Sequence, residues 1–209
     1  MIELFLDFFI IFFVVVDPIG LAPIFAALAH GGSTRYKQTM AWRGTAIAAV
    51  ILCVFAIVGD SLLRALGIGV PAFQIAGGLL LFLLAIEMVF ARQTGIRSTT
   101  ERERLESEAK KDISVFPLAV PLIAGPGALT TVLLTVGDRG DDLTVIVVVL
   151  CVVLLVLLIT LIALLFAVRI TKLIGETGAN VVSRVLGIIL AALAVQFVLD
   201  GILAGLGAK

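Results

Sequence analysis

Charge is scarce in this chain. Only 14% of its 209 residues are Asp, Glu, Lys or Arg, where a soluble domain carries about a quarter. The 15 basic and 15 acidic residues cancel, so no field of one sign favours nucleic acid. Cysteine is nearly absent. Cys53 and Cys151 lie in apolar runs without a Cys-x-x-Cys spacing and read as small buried hydrophobes. The one histidine, His30, adjoins a polar linker and reads as interfacial, not as a metal ligand. There is no His-Glu-x-x-His, no P-loop and no Gly-x-Ser-x-Gly. The expectation is no enzyme, no catalytic residue, no metal and no cofactor.

What the chain has is apolar residues, 61% of the total, with a mean hydropathy of +1.24. They fall in blocks of roughly 20 residues, enough to cross about 30 Å of hydrocarbon at 1.5 Å per residue. A soluble core gives shorter runs broken by helical periodicity. The expected architecture is all-α, with six transmembrane helices at about 4–29, 41–60, 67–90, 113–136, 143–168 and 181–204. The first block is not a signal sequence in this reading. It opens on Glu3 and Asp7 with no basic residue, and Asp17-Pro18 interrupts it. Short polar linkers are expected at 30–40, 137–142 and 175–180.

The one long linker, 91–112, mixes both signs of charge. Thr100 with Glu103 fits a capping box, and Glu106 with Lys110 an i, i+4 ion pair. It reads as a solvated helix joining two halves. Twelve of the 15 basic residues flank this side; only Arg64, Arg139 and Lys209 fall on the other. The positive-inside rule makes the rich side cytoplasmic and leaves both termini outside. Cysteines placed in 91–112 should therefore resist an impermeant thiol reagent added to intact cells, and labelling there would reverse the topology.

The halves look alike. Pro18 and Pro126 stand 108 residues apart, and the stretch from Phe73 aligns with that from Ser183 at a shift of 110. With three spans per half, the second must enter the membrane upside down. The division is 1–95, a charged linker 96–112, and 113–209. Inverted repeats with interrupted helices recur among transporters. Both first spans are interrupted. Asp17-Pro18 combines a favoured N-cap with a favoured first helical residue, so a helix restarts there at membrane depth. Gly125-Pro126, after Pro117 and Pro121, repeats the device. Each restart offers a helix N-terminus, which favours anions.

Together the breaks suggest a midplane site for a zwitterion, its ammonium near Asp17 and its carboxylate at the Gly125–Ala128 amides. The candidate substrate-binding set is Asp17, Pro18, Gly20, Gly125, Gly127, Thr130 and Thr131. Asp17 and Glu87 are candidates for proton or ion coupling, since intramembrane carboxylates are costly. The plainer alternatives stay open. Asp17 caps only its own half-helix, the Pro and Gly residues are packing kinks, and Glu87 reaches headgroup water or Arg92. Asp60 and Asp200 read as solvated near the outer surface; Gln74 and Arg184 occupy equivalent repeat positions and are offered as hydrogen-bond partners of the broken backbone, with Arg184 as an anchor at the cytoplasmic interface left open as the alternative.

Four stretches resemble the MarC family of bacterial and archaeal integral membrane proteins: Asp17-Pro18-Ile19-Gly20 with Pro23-Ile24-Phe25, Ile75 to Leu81, Pro117 to Ala128, and Ala194-Val195-Gln196-Phe197. The likeness runs almost end to end, with Gln74 standing where a basic residue is expected. That family is named for an early link with multiple antibiotic resistance and is grouped with neutral amino-acid transporters. The resemblance implies a multi-pass protein of the cytoplasmic membrane moving a small solute with H⁺ or Na⁺. Its partners would be the lipid bilayer and that solute, with a homo-oligomer left open. The alternative is a scaffold or accessory protein that moves nothing. A wet cavity touching Asp17 and Gly125 favours transport; tightly packed Leu and Phe favour the scaffold.

Overall fold

The computed structural model describes residues 1–90, 112–137 and 142–207. The capping box at Thr100, the Glu106–Lys110 pair and most of the 91–112 and 137–142 linkers lie outside these residues. The described residues are helical: α1 Ile2–Val16, α2 Pro18–Leu28, α3 Thr34–Ala65, α4 Val70–Phe90, α5 Ser114–Ile123, α6 Pro126–Gly137, α7 Leu143–Leu165 and α8 Ala167–Gly207.

Five spans are long and apolar enough to cross a membrane. Counting α5 and α6, which meet at a 53° bend, as one gives six. α1 and α2 together form one span, Ile2–Leu28. The helix ends follow local rules. The Ser33 hydroxyl accepts from the Tyr36 N–H at 3.2 Å and starts α3. Asp142 accepts from the Thr144 N–H at 2.9 Å and starts α7. Asp112 accepts from both the N–H and the hydroxyl of Ser114, at 2.9 and 2.6 Å, ahead of α5. Those hydrogen bonds, with Arg43 at 3.6 Å, hold the Asp112 carboxyl below its usual pKa.

Several expected boundaries move. The second span starts at Thr34, not 41, because Ser33 caps it seven residues early. Nearly all of the expected 175–180 linker is helix. Only Gly175 departs, at φ 71° and ψ 165°, and the last apolar span begins at Thr177. The cysteines are not the buried pair expected, since Cys53 is half-buried and Cys151 exposed. A bilayer solvates apolar side chains, so an apolar run does not tell core from lipid face.

Burial does. The apolar window of Ile2–Leu28 is 61% buried and that of Leu143–Leu165 50%, against 22–33% for the spans in α3, α4 and α8. The first span and α7 thus lie at the centre, together with α5 and α6, most of whose residues are also buried. Phe8, Phe12 and Val14–Val16 pack there with Val149, Val152, Val153 and Val156. Around them α3 lies on α5 and α7, α2 on α7 and α8, and α4 on α8.

Candidate functional site

The first break is a single residue. Pro18 has no N–H to continue α1, and the residue before a proline avoids the right-handed helical region. Asp17 resolves this in the left-handed region, at φ 51° and ψ 66°. Its N–H closes α1 by donating to the Phe13 carbonyl at 2.9 Å. Its side chain then caps α2, with Oδ1 accepting from the Gly20 N–H at 3.0 Å. Oδ2 accepts from the Ser183 hydroxyl of α8 at 2.9 Å. Asp17 is completely buried, and Pro18 and Gly20 are buried beside it. A Cβ on Gly20 would overlap both Asp17 Oδ2 and Ser183 Oγ, so glycine is what lets the serine reach the carboxylate.

At the second break the chain is irregular. Phe116 and Val120 are extended, each before a cis proline, Pro117 and Pro121. The intervening turns are wide, closed by Leu118 N–H to Ile113 O at 3.2 Å and Ala124 N–H to Ala119 O at 2.8 Å. α6 then starts at Pro126. Amides in a helix's first turn have no acceptor within that helix. A cleft of about 10 Å³ opens here, lined by Val15, Leu84, Pro121, Ile123 and Gly125 to Ala128. That is room for roughly one water.

The two breaks are neighbours, since a Cβ on Gly127 would touch Val15, two residues before Asp17, as well as Leu81 and Leu84. The expected residues nevertheless form two clusters. Asp17, Pro18 and Gly20 turn to Ser183, while Gly125 and Gly127 face an apolar wall that does not include Asp17. Thr131 spends its hydroxyl on its own helix, donating to Gly127 O at 2.8 Å. Thr130 packs against Gly77 of α4. Glu87 is half-buried on α4 and does not line the cleft. Asp60 pairs with Arg64 at 2.7 Å, and Asp200 accepts from Gln196 at 2.7 Å. Arg184 is exposed and Gln74 half-buried; among the described residues neither hydrogen-bonds the broken backbone. Among those residues no three His, Cys, Asp or Glu converge on a metal-sized site.

Ser183 escaped the sequence reading. The available signal was that it is the only hydroxyl in the expected span 181–204. Its partner is 166 residues away.

The pattern of MarC family integral membrane proteins matches residues 2–206. The chain belongs to the MarC family. MarC relatives span almost its whole length. A UPF0056 membrane protein of Archaeoglobus fulgidus is 35% identical over 191 residues, 91% of this chain and 88% of that one. One from Aquifex aeolicus is 34% identical over 200 residues, 95% and 92% of the two chains. YvbG of Bacillus subtilis is 32% identical over 195 residues, 93% and 92%. No solved structure matches the chain significantly. These MarC proteins are described as membrane proteins, and the descriptions name no substrate.

Proposed function

We propose that this MarC protein is a secondary transporter of a small solute, a neutral amino acid being the best fit, seen here closed. The observation that carries this reading is the meeting of two interrupted helices, one with a fully buried carboxylate at its restart. Irregular backbone at membrane depth is tolerated only where protein or a cavity satisfies it. Broken helices brought together are a recurrent way to build a solute site. The solute's ammonium would replace Ser183 at Asp17, and its carboxylate would take the first-turn amides of α6. Proton or Na⁺ coupling would fall to Asp17 or Glu87.

An inverted repeat fits the packing. α4 lies on α8 and α3 on α7, and α1 lies on α7 as α5 lies on α3, and α2 on α8 as α6 on α4, contacts that exchange under a two-fold relation. The same proposal places the protein in the bacterial or archaeal cytoplasmic membrane with both termini outside.

A second reading has its own support. Solute pockets commonly measure about 300–1,000 Å³, and the cleft at Gly125 is about 10 Å³ with an apolar wall. A scaffold that packs its breaks dry needs nothing larger. The two separate in a screen of the purified protein against the neutral amino acids by thermal shift, followed by flux in proteoliposomes. Transport predicts a midpoint that rises with one class of amino acid and flux of that same class. A flat screen with no flux leaves the scaffold.

A further inference from the structure

We infer that α4 and the part of α8 after Gly175 form one rigid arm that moves against the other helices, and that the Ser183–Asp17 hydrogen bond is its latch. The inference rests on the transport reading for its purpose, but not for its geometry.

Backbone contact defines the arm. α4 and α8 pack more extensively than any other pair of helices. The seam is tight along its length. A Cβ on Gly201 would meet the Pro71 carbonyl at 3.0 Å, on Gly78 the Ala194 carbonyl at 2.8 Å, and on Gly187 the Ala85 carbonyl at 3.1 Å. Small residues let helix backbones touch in this way, and backbone cannot yield as a side chain does.

At the boundary where the arm meets α6, the nearest atoms are side-chain atoms. A Cβ on Gly77 of α4 would first meet Thr130 side-chain atoms of α6, and one on Gly127 of α6 would first meet side chains, including Leu81 and Leu84 of α4. Side-chain ends can change rotamer and slide. Across α2 and α8 the boundary carries the Ser183 to Asp17 hydrogen bond, at 2.9 Å. Both helix breaks therefore open onto this one boundary, α2 facing α8 and α6 facing α4.

Two joints are placed to let the arm turn. Gly67, just before α4, has φ 69°, and Gly175, within α8, has φ 71°. Neither has a neighbouring atom within 4 Å of where a Cβ would stand, so no packed side chain blocks a turn there; the Gly67 turn itself is closed by its N–H to the Arg64 carbonyl at 3.1 Å. Rigid bodies that rock about a few such residues are a common transition. Breaking the latch releases α8 from α2 and lets the arm leave the α6 N-terminus, widening the cleft at Gly125.

The test is a pair of spin-label distances in a Cys53→Ala, Cys151→Ala background, in proteoliposomes without added solute. Ala72 and Leu203 both lie in the arm; Ser61 lies in α3, outside it. All three are exposed. Ser183→Ala should shift the Ser61–Leu203 distance to a second, longer population and leave Ala72–Leu203 narrow and unchanged. Ser183→Val, which fills the space without a donor, should give the same shift, and Ser183→Thr should restore the wild-type distance. An unmoved Ser61–Leu203 distance in both the Ala and Val variants overturns the latch. An Ala72–Leu203 distance that moves as much overturns the rigid arm. Flux without any change in Ser61–Leu203 would remove the moving arm and keep transport. A latch-dependent shift with no flux for any amino acid would keep the arm and remove transport.

Discussion

Asp17→Ala should yield a protein that fails to survive purification, while Asp17→Asn should fold and transport nothing. The difference lies in three roles that Asp17 plays at once. It occupies the left-handed region, which costs an ordinary residue about 1–2 kcal/mol and which Asn and Asp tolerate best. It caps α2 through Gly20 N–H, and losing such a cap costs about 0.5–2 kcal/mol. It also accepts from the half-buried Ser183, and losing a hydrogen bond to a charged group costs about 1.5–3 kcal/mol. Alanine loses all three, a sum of roughly 3–7 kcal/mol against a typical total stability of about 5–15 kcal/mol. Asparagine keeps all three. Its amide oxygen still accepts from Gly20, and its amide nitrogen donates to the Ser183 oxygen. Only the charge disappears. The measurements are the unfolding midpoint in detergent and flux in proteoliposomes. An alanine variant as stable as wild type would mean the break does not depend on Asp17. An asparagine variant with wild-type flux would reduce Asp17 to a cap.

Gly125→Ala should lower the unfolding midpoint by several degrees, and Gly125→Leu by more. From sequence alone, Gly125 was the open face through which a solute carboxylate approaches helix α6. On that view alanine would weaken binding a little and leucine abolish it, with folding intact. The structure puts the Pro121 carbonyl where the first added carbon would go. That is backbone, held by the irregular turns of α5, so it cannot step aside as a side-chain end can. Overpacking of this kind costs about 1–3 kcal/mol, and each kcal/mol moves the midpoint by about 2–4 °C in a chain of this size. Affinity for any amino acid found in the screen should then be compared only among variants that remain folded. An alanine variant with an unshifted midpoint would show that α5 yields, and would return Gly125 to its role as an open approach.

The helix breaks were legible because proline acts locally. Pro18 removes a donor whatever surrounds it, and Asp17 is a good cap in any helix. The break at Gly125 was legible for the same reason. Its inner construction was not. The prolines at 117 and 121 announce an interruption, but wide turns between extended residues depend on the packing of α5 against α3. Thr130 and Thr131 show the limit most plainly. Two hydroxyls one turn into a helix look like solute contacts, yet Thr131 bonds its own Gly127 carbonyl and Thr130 fills the notch at Gly77. Nothing in a sequence period separates these outcomes.

By itself the sequence determined the membrane class, the approximate spans, the position of both breaks and the family resemblance. Each of these is written in blocks of hydropathy or in a few residues acting on their own backbone. Only the tertiary structure decided which spans are central, that α4 seals against α8, and that Ser183 reaches Asp17 across 166 residues. The reason is the solvent. In water, burial sorts polar from apolar residues and leaves a periodic trace of each helix's inner face. In hydrocarbon both faces are apolar and every helix satisfies its own backbone. Partners are then chosen by the fit of small residues and by single hydrogen bonds, which a linear pattern does not record.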